Sequence, residues 1–194
     1  MKLKFSPSVA QIQKVSYAKE EEENFLLDCG DGCSPYGCSE KVAQALKDAD
    51  IHDVSAYPHG FALKDAIIRR WQAHVPLTYD MLYLHNSGMD AIACVNTIFA
   101  RPGAAVVGIC PQFSDYLLSA RCHGFVYRPV YLKQEENFRL IPERVVAAID
   151  NAVSLVYLDN PNNPTGQSVT LDSMRMILDK AKEVGACVIS DEAY

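Results

Sequence analysis

No stretch of the chain approaches the roughly 20 consecutive apolar residues that a membrane-spanning helix requires. None follows the two lysines of the N-terminal MKLKFSPSVAQIQ either. Neither a membrane partner nor a secretory leader is expected, and the cytoplasm is the expected compartment. Positive charge is also scarce: 18 basic against 24 acidic residues give a net charge of −6, which repels polyanions at long range and disfavours nucleic acid as a partner. The seven cysteines are an odd number, with no C-x-x-C pair. Cys29, Cys33 and Cys38 lie close together, but no histidine follows at zinc-finger spacing, so no metal site is read there. Thiols inside apolar runs behave as small hydrophobes, which suits a reducing compartment. There is no internal repeat, and the acidic run from Glu20 to Glu23 reads as a solvated edge.

What is present is the composition of a globular protein, 49% hydrophobic and 22% charged, arranged as alternating helix-like and strand-like segments. Helical spacing of apolar residues predicts helices over 39–49, 60–74, 89–100, 111–123, 142–150 and 171–184. Short apolar runs predict strands over 81–84, 104–109, 125–132, 153–158 and 186–190. Such βαβ rhythm implies an α/β fold, a mostly parallel sheet with helices on both faces. A strand running into the last residues also suggests a domain that is incomplete at its C-terminus.

Four segments are expected at the carboxyl ends of strands, where open α/β sheets place ligands. Ser87-Gly88-Met89 opens a helix, so it is either a plain N-cap or a cradle in which free N–H groups meet a phosphate. Phe113 follows the 104–109 strand, where it is either a core residue or a ring able to stack on a planar ligand. Residues 159–166, DNPNNPTG, place asparagines in a proline-constrained loop, able to face a ligand instead of their own backbone. In residues 190–194, SDEAY, Asp191 leaves a strand end and requires a cationic or hydrogen-bonding partner there.

The NPNNPTG and DEAY segments, with Asn163 and Asp191 28 positions apart, resemble those of class I/II aminotransferases, the fold-type I pyridoxal phosphate (PLP) enzymes. Ser87-Gly88-Met89 and the P-x-F-x-x-Y from Pro111 to Tyr116 fall at matching places. Residues 27–39 are similar to histidinol-phosphate aminotransferases and threonine-phosphate decarboxylases, with Gly32 where those enzymes usually have Asn. The resemblance implies the PLP-dependent transferase (aspartate aminotransferase) fold, with residues 1–50 in a small domain and 51–194 beginning the large PLP-binding domain. It implies that Asp191 keeps the cofactor's pyridine nitrogen protonated, and that Asn163 and Tyr194 donate to its phenolic oxygen. Phe113 would stack on the ring, Ser87, Gly88 and Met89 would hold the phosphate, and Tyr57 would reach the phosphate of a neighbouring subunit in a homodimer. Tyr116 is given a supporting place behind these.

The implied reaction moves an amino group between an amino acid, histidinol-phosphate-like or aromatic, and a 2-oxo acid. Decarboxylation of a phospho-amino acid on the same scaffold and a non-catalytic binding module are the alternatives. The resemblance implies a Schiff-base lysine beyond the DEAY strand, and the lysines present, near the N-terminus or in polar helical and loop contexts, are not read as replacements for it.

Overall fold

The computed structural model describes residues 6–10, 12 and 34–194. The acidic run, Cys29, Gly32 and Cys33 lie outside the described residues. The chain forms two compact units, one of residues 15–84 and one of residues 85–194 together with 1–14. The first helix, α1 (Pro7–Ala10), belongs to the second of these, where the Ser8 hydroxyl donates to the Cys122 carbonyl at 3.1 Å.

In the unit of residues 15–84, α2 (Glu40–Lys47) begins where Ser39 Oγ accepts the Val42 N–H, and α3 (Ile51–Ser55) where Asp50 accepts the His52 N–H at 2.8 Å. Helix α4 (Phe61–Trp71) starts after Gly60, whose φ of +66° calls for glycine. The helix expected over 60–74 is therefore shorter, and its apolar stripe is not a core: Leu63 and Trp71 are 55% and 47% exposed. The strand expected over 81–84 does not form. The Met81 and Leu82 N–H groups close a 3-10 turn onto Thr78 and Tyr79, and residues 82–84 enter no ladder among the described residues. An apolar run becomes a strand only beside a partner edge, and local turn bonds win here.

The other unit carries α5 (Gly88–Phe99), β1 (Ala105–Cys110), α6 (Ser114–Cys122), β2 (Val126–Tyr131), α7 (Pro142–Ala148), β3 (Val153–Asp159), α8 (Leu171–Val184) and β4 (Cys187–Asp191). The strands form a parallel sheet, as the alternation predicted, and their order in it is β2-β1-β3-β4. Pro129 is tolerated because, among the described residues, β2 lies at the sheet edge with one ladder to make. Alternating side chains divide the core between the two faces. Val107, Ile109, Val156 and Leu158 pack with Val145 of α7 and Ile177 of α8, whereas Val106, Leu155 and Tyr157 pack with Ile92 of α5 and Tyr116 and Ala120 of α6. The register slips between Ala105↔Val153 and Val106↔Leu155, so the odd-numbered Val153 joins the α7/α8 face while Leu155 faces α5 and α6. Strand β4, expected to be buried, is half-buried, because β3 is its one neighbour among the described residues.

Candidate active site

Parallel strands bring the ends of β1, β3 and β4 to one edge of the sheet, and their loops enclose a cleft of about 90 Å³. Phe113, Asp159, Pro161, Asn163, Asp191, Ala193 and Tyr194 line it. The structure thus assembles four of the residues singled out from the sequence, from three separate loops, around one space.

Asp159 holds this rim together. It is 4% exposed, and its Oδ2 accepts the backbone N–H groups of Phe113 and Asn163, both at 3.0 Å, while Oδ1 accepts from Asn162 Nδ2 at 2.8 Å. The helix expected over 111–123 consequently starts later, at Ser114: residues 111–113 form the turn, and the Phe113 N–H is committed to Asp159. The asparagines of the DNPNNPTG loop divide their work. Asn160 Oδ1 accepts the Val169 N–H at 2.9 Å, and buried Asn162 bonds Pro111, Asp159 and Thr165. Asn163 faces the cleft, donating from Nδ2 to the Tyr194 hydroxyl at 3.2 Å. The peptide bonds preceding Pro111, Pro161 and Pro164 are cis.

Asp191 finds the partner that its position requires in Tyr157, whose hydroxyl donates to Oδ2 at 2.7 Å. Tyr157 is fully buried on β3 with its ring stacked on Tyr116, 3.5 Å between centroids and 9° between planes. Tyr116 is also fully buried, and its hydroxyl reaches Asn96 of α5 at 3.5 Å. Burial first, and the bond to Asp191 second, push the Tyr157 phenol far above its ordinary range, so it stays a protonated donor.

Ser87 is an N-cap: its Oγ accepts the Asp90 N–H at 3.2 Å, and Asp90 in turn accepts the Asn86 N–H at 3.3 Å. A Cβ added at Gly88 would meet nothing within 4 Å, so the protein leaves open space beside the first turn of α5, where N–H groups lack intrahelical partners. Ser87, Gly88 and Met89 share the compact unit of the cleft but do not line it. Tyr57 belongs to the unit of residues 15–84 and is 90% exposed.

Two residues escaped the sequence reading as members of the site, Tyr157 and Asp159. The signal for the first was present, since a lone phenol in a mostly aliphatic buried strand must find a partner for its hydroxyl. Asp159 offered no such signal, because its three donors come from distant backbone and from its own loop.

The family model described as aminotransferase class I and II matches residues 25–194. The chain belongs to that family. Histidinol-phosphate aminotransferases of Methanopyrus kandleri and Anoxybacillus flavithermus are 32% and 31% identical to it, over 99% and 83% of this chain but 51% and 42% of their own length. The chain therefore spans about half the length of the curated relatives it matches. Among solved structures, N-succinyldiaminopimelate aminotransferase from Mycobacterium tuberculosis superposes with a TM-score of 0.71 at 26% identity, over 79% of this chain and 42% of its own. Aspartate aminotransferase from Thermus thermophilus gives 0.62 at 25%, over 66% and 34%. The fold expected from the resemblance, that of aspartate aminotransferase, is the one these neighbours have.

Proposed function

We propose that the complete protein is a PLP-dependent aminotransferase that moves an amino group between an amino acid and a 2-oxo acid, and that this chain provides the part of the site gripping the cofactor ring. The cleft carries the reading: one aromatic ring, one carboxylate tied to a buried phenol and a pair of hydrogen-bond donors converge on a space at the carboxyl edge of a parallel sheet. That donor set fits PLP. The Asp191 carboxylate suits a ring N–H, Asn163 and Tyr194 suit a phenolic oxygen, Phe113 offers a face, and the open first turn of α5 at Ser87, Gly88 and Met89 suits a phosphate. When bound, PLP supplies an electron sink for charge developing at the substrate's α-carbon. Asp191 holds the proton on the ring nitrogen, because a neighbouring anion favours the cationic form.

The relatives' names point to a histidinol-phosphate-like amino acid as the amino donor. A homodimer follows from the same reading, with Tyr57 directed to the phosphate of the neighbouring subunit. Residues 1–50 would then belong to the small domain and 51–194 to the large one. The test is amino transfer by the full-length protein from a panel of amino acids, with borohydride reduction fixing a pyridoxyl group on a lysine. Asp191→Ala should lower kcat/KM by at least about 100-fold with the fold retained. Near-normal turnover in that variant, or a full-length protein that takes up no PLP, would overturn the proposal.

A further inference from the structure

We propose that Tyr157 is a positioning residue for the cofactor: by bonding one oxygen of Asp191 it fixes the carboxylate, leaving the other oxygen for the ring nitrogen. The inference rests on the proposed PLP role of Asp191. Asp191 stands at the end of β4, half-buried, on a side chain that could otherwise rotate. The hydrogen bond to its carboxylate comes from the Tyr157 hydroxyl at 2.7 Å, to Oδ2, while its backbone carbonyl accepts the Asn160 N–H at 2.8 Å. The phenol cannot follow a wandering carboxylate, because Tyr157 is fully buried and its ring lies flat against Tyr116, itself fully buried. Register places Tyr157 opposite Ile189, two residues before Asp191, so the bond runs diagonally from β3 to β4 and ties the end of β4 to the core. The chain of contacts continues from Tyr116 to Asn96 in α5, the helix whose first turn is the proposed phosphate cradle. One rigid element thus sets the acceptor for the ring nitrogen from the side away from the cleft.

A residue that merely supported the fold would affect any ligand of the cleft equally, whereas one acting through Asp191 affects only ligands with a ring nitrogen. The experiment compares binding of PLP and of its analogue with C–H in place of the ring nitrogen to the full-length protein. Four forms are used: wild type, Tyr157→Phe, Asp191→Ala and the double variant. Phenylalanine keeps the ring stack. Tyr157→Phe should weaken PLP about tenfold, the order of one hydrogen bond to a charged group, and leave the analogue unchanged. In the Asp191→Ala background it should add nothing. Equal losses for both ligands, no loss for either, or a loss that persists without Asp191 would overturn the role given to Tyr157. If Asp191→Ala retains the wild-type preference for the ring nitrogen, the cofactor role of Asp191 itself fails.

Discussion

At the scale of single residues, the site is organised by buried polar groups more than by the side chains that face the cleft. Asp159 accepts three N–H donors from two loops at 4% exposure, so Asp159→Asn turns an acceptor into a donor among donors. Leaving buried N–H groups unmatched costs about 1–3 kcal/mol each, and the variant should unfold at clearly lower urea concentration than wild type. An unchanged midpoint would show that the three bonds contribute nothing net. The Glu136–Arg144 pair, with contacts of 2.6 and 2.7 Å, is a surface counterpart. Its arginine bond holds the Glu136 carboxyl below the usual range. A folded-state value below the unfolded one gives stability that is complete above the unfolded pKa, near 4.3, and lost as pH falls through the lower folded value. Glu136→Gln should therefore flatten the acid limb of the stability profile between neutral pH and pH of about 3, a difference that parallel acid titrations would detect.

At the scale of elements, caps and close approaches decide where helices and strands begin. Thr170 caps α8 by accepting the Ser173 N–H at 3.2 Å, and Gly185 ends the same helix at φ +72°. The amphipathic run and the glycine that follows it are local patterns, which is why the range 171–184 could be read from the sequence, whereas the Thr170 cap was not read. Thr170→Ala should cost about 1 kcal/mol, read as a small loss of helical ellipticity and of unfolding midpoint. Gly108 in β1 was not legible in the same way. A Cβ there would press on the Tyr127 hydroxyl, which donates to the Ile109 carbonyl, and stand 2.8 Å from Gln112 Oε1, whose buried amide has no partner among the described residues. Gly108→Ala should destabilise by about 1–3 kcal/mol through overpacking, and Gly108→Ala with Tyr127→Phe should recover part of that loss. No recovery in the double variant would mean that the backbone, and not the hydroxyl, is the obstacle.

At the scale of the whole molecule, the two units differ in how much apolar surface they bury. The sheet unit has a core on each face, whereas Leu46, Ile51, Val54, Phe61 and Leu63 of the unit of residues 15–84 are all more than half exposed. So much exposed aliphatic and aromatic area favours association. The isolated 194-residue chain is expected to sediment as oligomers, and Leu46→Lys with Leu63→Lys should shift it toward monomer. A monomeric profile for the unaltered chain would contradict this. The sequence determined the α/β class, the parallel sheet, the extents of the strongly periodic elements and four of the cleft residues, Phe113, Asn163, Asp191 and Tyr194. It could do so because periodicity, helix caps and the NPNNPTG and DEAY segments are local patterns. Tertiary structure alone decided the rest. Residues 81–84 gain no strand partner, Leu63 and Trp71 face outward, and Phe113 gives its N–H to an aspartate 46 residues away. Asp191 is held by a phenol on the neighbouring strand, because hydrogen-bond partners distant in sequence are chosen only when the strands are laid side by side.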